Sequence, residues 1–295
     1  MGYVGNIYRP PSEAYSFILQ VTVGCSHNSC TFCSSFKSKK YHEKDLEEIR
    51  SDIAWAKQTY GQLTRVFLAD GDALSADTEF LLKILTMLRE AFPNLERVGA
   101  YAGPWSLLDK TPAELEALHK AGLSILYLGL ESGNAEVLGD IVKKTATPAD
   151  MIAAANKAHA TGFTLSVTII LGLGGEKLTL EHAQDTAKVL NAMQPHYVGA
   201  LTLLLDEGAP LLRKVQSGEF RLLNPVQILE ELKVLVGNFQ LNNCVFRTNH
   251  ASNYLVLGGT LPQDKQRMLV EIEQALQHLR KGNDGMLRPE SYRRL

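Results

Sequence analysis

Nowhere does the sequence stay apolar for the ~18 consecutive residues that a membrane-spanning helix requires. The stretch from Met1 to Ser16 lacks both the basic start and the apolar core of a secretory leader, so a cytoplasmic protein is expected. An excess of one charge is missing too: 30 Lys and Arg face 32 Asp and Glu, for a net charge of −2. An extended nucleic-acid footprint would need a basic surplus to neutralise phosphates, so none is expected, and no membrane partner either. Cysteine is scarce, with four in 295 residues, which excludes a disulfide scaffold. The 45% hydrophobic and 21% charged composition excludes a predominantly disordered chain. The length suits two domains, or one barrel-sized domain with an appendage.

What is present is a regular alternation. Six short apolar runs, Phe17–Val23, Arg65–Ala69, Arg97–Ala102, Ser124–Leu130, Phe163–Leu171 and His196–Leu203, read as buried parallel strands. Between them lie amphipathic stripes such as Phe80, Leu81, Ile84, Leu85 and Leu88, or Leu180, Ala183, Ala187 and Leu190. Their i, i+3, i+4 spacing predicts helices with one apolar face toward the sheet. Thr111-Pro112-Ala113-Glu114 and Thr147-Pro148-Ala149-Asp150 each supply an N-cap threonine, a proline at the first helical position and an acid near the positive end of the dipole. Gly122 and Gly162 stand where a left-handed helix C-cap is wanted, each just before a strand.

Such alternation is compatible with an open doubly wound sheet or a (β/α) barrel. Every strand is followed by polar or glycine-rich residues: Gly24–Lys40, Asp70–Asp72, Tyr101–Trp105, Glu131–Asn134, Gly172–Glu176 and Asp206–Gly208. Chemistry spread over many strand ends favours a barrel, since a doubly wound sheet concentrates it at one switch point. Six strands are fewer than the eight that close such a barrel. The expected fold is therefore α/β, a partial (β/α)6 TIM-like barrel over residues 1–206 with a C-terminal extension over 207–295 that covers it. In the extension, amphipathic stretches at Ile228–Phe239 and Met268–Leu279 flank a strand-like Cys244–Arg247 and a polar Thr248–Tyr254. From about Arg280 a mobile or loosely docked tail is expected.

The sharpest chemical signal is the loop after the first strand, where Cys25, Cys30 and Cys33 fall within nine residues. Three thiolates can hold three irons of a 4Fe-4S cluster and leave the fourth open. They can equally belong to a structural zinc site completed by His27 or His42. The cysteines alone leave both open. Cys244, at a strand start, reads as a buried inert thiol.

Taken with other loops, this segment resembles the radical SAM superfamily, whose partial (β/α)6 barrel carries a three-cysteine loop after its first strand. The Cys-x4-Cys-x2-Cys spacing has one residue more than the family's usual Cys-x3-Cys-x2-Cys. Phe32 matches the family's aromatic beside the adenine. Asp70, Gly71 and Asp72 stand where a Gly-Gly-Glu type segment holds the amino group of S-adenosylmethionine (SAM). Glu131 and Ser132, within Gly129–Gly133, resemble the ribose-contacting segment. Gly172, Gly174, Gly175 and Glu176 resemble the glycine-rich adenine-side motif, where absent side chains let backbone approach a nucleoside. The similarity runs from about Ser16 to Asp206 and points toward the anaerobic coproporphyrinogen oxidase and Elongator-like branches.

The resemblance implies a 4Fe-4S cluster on Cys25, Cys30 and Cys33, SAM as cofactor, and an electron donor such as flavodoxin or ferredoxin. It implies an iron–sulfur oxidoreductase or transferase that reductively cleaves SAM to a 5′-deoxyadenosyl radical, which abstracts hydrogen from a substrate not named by the sequence. No catalytic side chain beyond the cofactor site is assigned. Tyr101, Trp105, Asn249, His250, Asn253 and Tyr254 are the expected substrate contacts, weighed for the last four against a role in capping and connecting the chain. Two further readings stand beside this one: a zinc-stabilised barrel acting as a binding or scaffold protein, and a radical SAM enzyme that modifies tRNA.

Overall fold

The structure is a computed structural model that describes residues 2–142 and 146–294; Leu295, the end of the expected tail, lies outside them. Eight strands belong to one mostly parallel sheet and alternate with helices, the α/β class expected from the alternation. The chain forms two compact units. One comprises the residues up to Asn28, Ser35–Leu128 and Ala153–Leu165; the other comprises Ser29–Ser34, Gly129–Ile152 and the residues from Ser166 on.

In the first unit, β1 (Phe17–Gln20), β2 (Thr22–Val23), β3 (His42–Glu43), β4 (Arg65–Ala69), β5 (Arg97–Ala102) and the start of β6 (Leu123–Glu131) follow in order. Strand β1 pairs in parallel with β4, β4 with β5, and β5 with β6. The expected first strand breaks at Val21, whose N–H donates to Ala69 O at 2.6 Å while its carbonyl accepts from Lys44 N at 2.9 Å. Beyond it Thr22 and Val23 turn to antiparallel pairing with β3. Ile84, Leu85 and Leu88 of the helix Thr78–Ala91 are buried, as their spacing requires. Thr111 forms a reciprocal capping box with Glu114, and Gly122 and Gly162 adopt φ of +113° and +92° at their helix ends. Glycine alone takes those angles without strain.

The inward face of these strands carries Phe67, Ala69, Ile125 and Tyr127, with Ile7, Ile18 and Tyr101 against them. Phe67 and Tyr101 meet edge-on at 4.9 Å. Among these residues the wholly buried Glu13 accepts hydrogen bonds from Tyr127 Oη, Ser16 Oγ and, at 2.8 Å, Arg97 Nη2. A buried carboxylate needs such partners.

In the second unit, β7 (Thr164–Leu171), from Ser166 on, pairs in parallel with β8 (Tyr197–Thr202), and β8 with β9 (Cys244–Arg247). Antiparallel β10 (Gly258–Leu261) completes the edge. The extension thus prolongs the sheet by two strands. Its helix Pro225–Gly237 packs on Gly175–Met193 and on Lys265–Arg280. The buried side of Gly175–Met193 is formed by His182, Ala183, Thr186, Ala187, Leu190 and Met193. Leu180, expected there, is 48% exposed. Its turn is out of phase because Leu178 leaves helical geometry at φ −125°, ψ 19°.

The tail, expected to be mobile or loosely docked, makes directed contacts. Arg288 donates from its backbone to Tyr254 O and from its side chain to His250 O, each at 2.7 Å. Arg293 donates to Ser252 O and lies 3.7 Å above the Tyr254 ring. Among the described residues no helix is long and apolar enough to cross a membrane.

Candidate functional site

Cys25 and the loop after β4 lie in the first unit. Gly24, at φ +80°, turns the chain from β2 toward the cysteines. Asp70 is fully buried, and its Oδ2 accepts from Lys39 Nζ at 2.7 Å, Gly24 N at 3.1 Å and Gln20 Nε2 at 3.4 Å. Burial pushes this carboxyl above its usual range, against the pull of Lys39. Its Oδ1 has no hydrogen-bond donor among the described residues. Asp72 accepts from Ser26 Oγ at 2.6 Å and Gly103 N at 3.0 Å. Both acids, expected near the amino group of SAM, brace the loops around Gly24, Ser26 and Gly103.

Between them, Gly71 has no room for a side chain. A Cβ there would come within 2.7 Å of the Phe36 ring and 2.8 Å of Cys25 Cβ. Glycine is what lets this loop lie against the first cysteine. Tyr101 is committed to the Phe67 and Tyr127 rings, whereas Trp105 is partly exposed. His42 sits exposed on β3.

Cys30, Phe32 and Cys33 lie in the second unit, all half-buried. Their segment is tied down by Leu211 N donating to Thr31 O at 2.8 Å, by Thr31 Oγ1 donating to Ile141 O, and by Ser34 Oγ donating to Asp206. Among the described residues no three His, Cys, Asp or Glu side chains are gathered into a metal-holding group. The suitability of the loop for a cluster thus lies in its donor chemistry, three soft thiols outside any disulfide on one short loop, and in the close approach at Gly71.

After β6, Glu131 adopts φ +63°, a left-handed conformation that costs a non-glycine residue about 1 kcal/mol. Ser132 and Gly133 are buried against the helix Gly175–Met193, where Gly133 N donates to Thr186 Oγ1 at 2.9 Å and Asn134 Nδ2 to Asp185 at 2.7 Å. A Cβ on Gly133 would lie 2.4 Å from Asp185 O and 2.5 Å from Thr186 Cα, both backbone atoms that cannot swing away. Gly133→Ala should therefore lower stability by about 1–3 kcal/mol, read as a lower urea midpoint; an unchanged midpoint would show that the loop is not packed this way.

The glycine-rich segment after β7 is buried from Gly172 to Gly175, while Glu176 is exposed near Gln227 and Arg221. Gly172, at φ +82°, donates its N–H to Glu231 Oε1 at 2.7 Å. Glu231 Oε2 accepts from Thr179 at 2.7 Å, and His182 Nε2 lies 3.6 Å from Oε1. His182 Nδ1 is 2.8 Å from Ser132 Oγ. His182 and Glu231 escaped the sequence reading, although each interrupts an apolar stripe, His182 beside Ala183 and Ala187, and Glu231 between Ile228 and Leu232. A polar residue inside such a stripe is the signal that marks them.

Of the expected substrate contacts in the extension, Asn253 is buried and fully used. Its Oδ1 accepts from Thr202 at 2.9 Å, and its Nδ2 donates to Ala200 O at 2.7 Å and Thr248 O at 3.0 Å. Tyr254 is buried beneath Arg293. Both side chains are held within the unit. His250 receives Ser252 N at its Nδ1, 3.1 Å away, and burial together with Arg288 holds it below the usual histidine range. Asn249 is exposed. Cys244 is wholly buried on β9, and burial pushes its thiol up to about 12, which suits an inert core thiol.

No curated protein matches the sequence significantly. Solved structures share the fold. Coproporphyrinogen III oxidase (HemN) from Escherichia coli, a radical SAM enzyme, is 16% identical with a TM-score of 0.58, covering 94% of this chain and 61% of that one. Elp3 from the archaeon Methanocaldococcus infernus is 16% identical with a TM-score of 0.52, covering 90% and 64%. The radical SAM methyltransferase TsrM from Kitasatospora setae, solved with cobalamin and a 4Fe-4S cluster bound, is 17% identical with a TM-score of 0.56, covering 69% and 39%. The chain thus spans between 39% and 64% of the length of these proteins. The radical SAM superfamily, whose members are enzymes that use a 4Fe-4S cluster and SAM, has a sequence profile that matches residues 19–190. With more than half of its length inside that match, the chain belongs to the radical SAM superfamily.

Proposed function

We propose that Cys25, Cys30 and Cys33 hold a 4Fe-4S cluster, that the loops after β4, β6 and β7 hold SAM, and that the enzyme abstracts hydrogen from a substrate after reductive cleavage of SAM. The observation that carries this reading is the three-thiol loop whose first cysteine lies against the side-chain-free Gly71. When bound, the cluster supplies the electron that breaks the carbon–sulfur bond of SAM. The backbone at Gly71 lets the ligand's amino-acid end approach beside Cys25. Asp70 Oδ1, buried without a donor among the described residues, is an open acceptor on the same loop. Phe32 offers an aromatic face to the adenine. Glu131, at φ +63°, accepts from the ribose.

A protein electron donor such as flavodoxin or ferredoxin, and a cytoplasmic setting, belong to the same proposal. Trp105, Asn249 and His250 are its remaining candidates for substrate contact.

Anaerobic purification tests this reading against the zinc-stabilised alternative. A brown protein containing iron and sulfide, with broad visible absorbance, supports it; stoichiometric zinc without sulfide overturns it.

Glu131→Ala should weaken SAM binding by about tenfold or more, the value of a hydrogen bond to a charged acceptor, with iron content unchanged. Glu131→Gly should lose the same affinity while unfolding at the parental temperature or above, because glycine removes the cost of φ +63°. Parental affinity in both variants would take Glu131 out of the site.

A further inference from the structure

Ser132, His182 and Glu231 are 0%, 2% and 3% exposed, and together they form a polar chain inside an otherwise apolar part of the second unit. Its protons can be assigned. Ile170 O lies 3.0 Å from His182 Nε2, and a carbonyl only accepts, so Nε2 carries a proton. Ser132 Oγ accepts from Asn134 N at 3.0 Å and lies 2.8 Å from His182 Nδ1, to which its hydroxyl donates when the imidazole is neutral with its proton on Nε2. Glu231 is acceptor-only when ionised and takes Gly172 N and Thr179 Oγ1 on its two oxygens, while His182 Nε2, whose proton goes to Ile170 O, lies beside Oε1 at 3.6 Å, beyond hydrogen-bond distance. One carboxylate therefore fixes the glycine-rich loop after β7, and the imidazole beside it anchors the Ser132 loop after β6.

Those are the two loops assigned above to the adenine and the ribose. A buried acid is a costly choice for gluing a helix to a sheet, since well-packed apolar residues do that at least as well. Buried charges that fix loop geometry are a way of holding a binding site in its productive shape before the ligand arrives.

We propose that Glu231 is a positioning residue for the nucleoside half of the SAM site, holding the Gly172 amide in place beside the imidazole that anchors the Ser132 loop. This rests on the assignment of those loops to SAM. Glu231→Gln retains an oxygen acceptor for Gly172, whereas Glu231→Leu retains only volume.

The test uses the full-length, anaerobically reconstituted protein, with SAM as the probe. Three quantities are measured: the SAM dissociation constant, the iron content, and hydrogen exchange of the Gly172 amide without SAM. In Glu231→Leu the dissociation constant should rise by about tenfold or more and exchange at Gly172 should quicken, at parental iron content, whereas Glu231→Gln should stay within about threefold of the parent. Should Glu231→Leu fail to fold, Thr179→Val removes one donor to the carboxylate and should give the same pattern at about threefold.

A folded Glu231→Leu, or in its place Thr179→Val, with parental SAM affinity overturns the proposal. So does unchanged protection of Gly172 in that variant. If the parent protein itself does not bind SAM, the functional reading fails and the positioning role falls with it; quickened exchange at Gly172 would then still report the network, which separates the two failures.

Discussion

Replacing Cys25, Cys30 or Cys33 by alanine, one at a time, should abolish cluster incorporation and SAM cleavage, while Cys244→Ala should leave both intact. A cluster held by three thiolates has no spare protein ligand, so losing one removes a bridge the remaining two cannot replace. The contrast with Cys244 is physical. That thiol is wholly buried, with its pKa pushed up to about 12, whereas the three loop cysteines are half-buried on a short segment. Thiolate character and access are what a metal ligand needs. Iron and sulfide analysis of the four variants decides the point, and parental iron content in any loop variant would contradict it.

The second large effect concerns stability. Lys39 and Asp70 form an ion pair at 2.7 Å with side chains 7% and 0% exposed. Lys39→Met keeps most of the stem but removes the charge, and should destabilise the fold by about 3–5 kcal/mol, the usual result of leaving one member of a buried pair uncompensated. The loss should depend on pH. Burial already holds the Asp70 carboxyl above its usual range, and without Lys39 it rises further. A carboxyl raised in the folded state is protonated there while the unfolded chain's is ionised, so folding must take up a proton. The deficit should therefore be smallest below about pH 4, where both states are protonated, and grow as pH rises toward the folded-state value. Urea midpoints of parent and variant near pH 5 and pH 8 test this. Equal deficits at both would show that Asp70 is not the group left behind.

The strands were legible where local sequence decides them. Arg65–Ala69 and Arg97–Ala102 match their expected bounds because each is a continuous apolar run between turn-forming residues. The capping boxes at Thr111 and the left-handed glycines at Gly122 and Gly162 were legible for the same reason, since their partners lie within four residues. The break at Val21 was not, because its hydrogen bonds go to Ala69 and Lys44. Gly258–Leu261 was missed because two glycines and no apolar alternation give it little strand character; it exists because β9 offers it an edge.

In the candidate site, the sequence located the loops but not what their side chains touch. Asp70 is paired with a lysine 31 residues earlier, and Gly172 with a glutamate 59 residues later. Such pairings are set by strand register and helix phase, which no local pattern encodes. The same holds for Asn253, whose three side-chain hydrogen bonds join residues brought together by the pairing of β8 with β9.

The most direct measurement is the release of 5′-deoxyadenosine and methionine when the anaerobically reconstituted protein is mixed with SAM and a chemical reductant. Both products should appear in the parent protein, require the reductant, and vanish in Cys25→Ala. A protein that carries iron and sulfide and binds SAM, yet releases neither product on reduction, would contradict the proposed function.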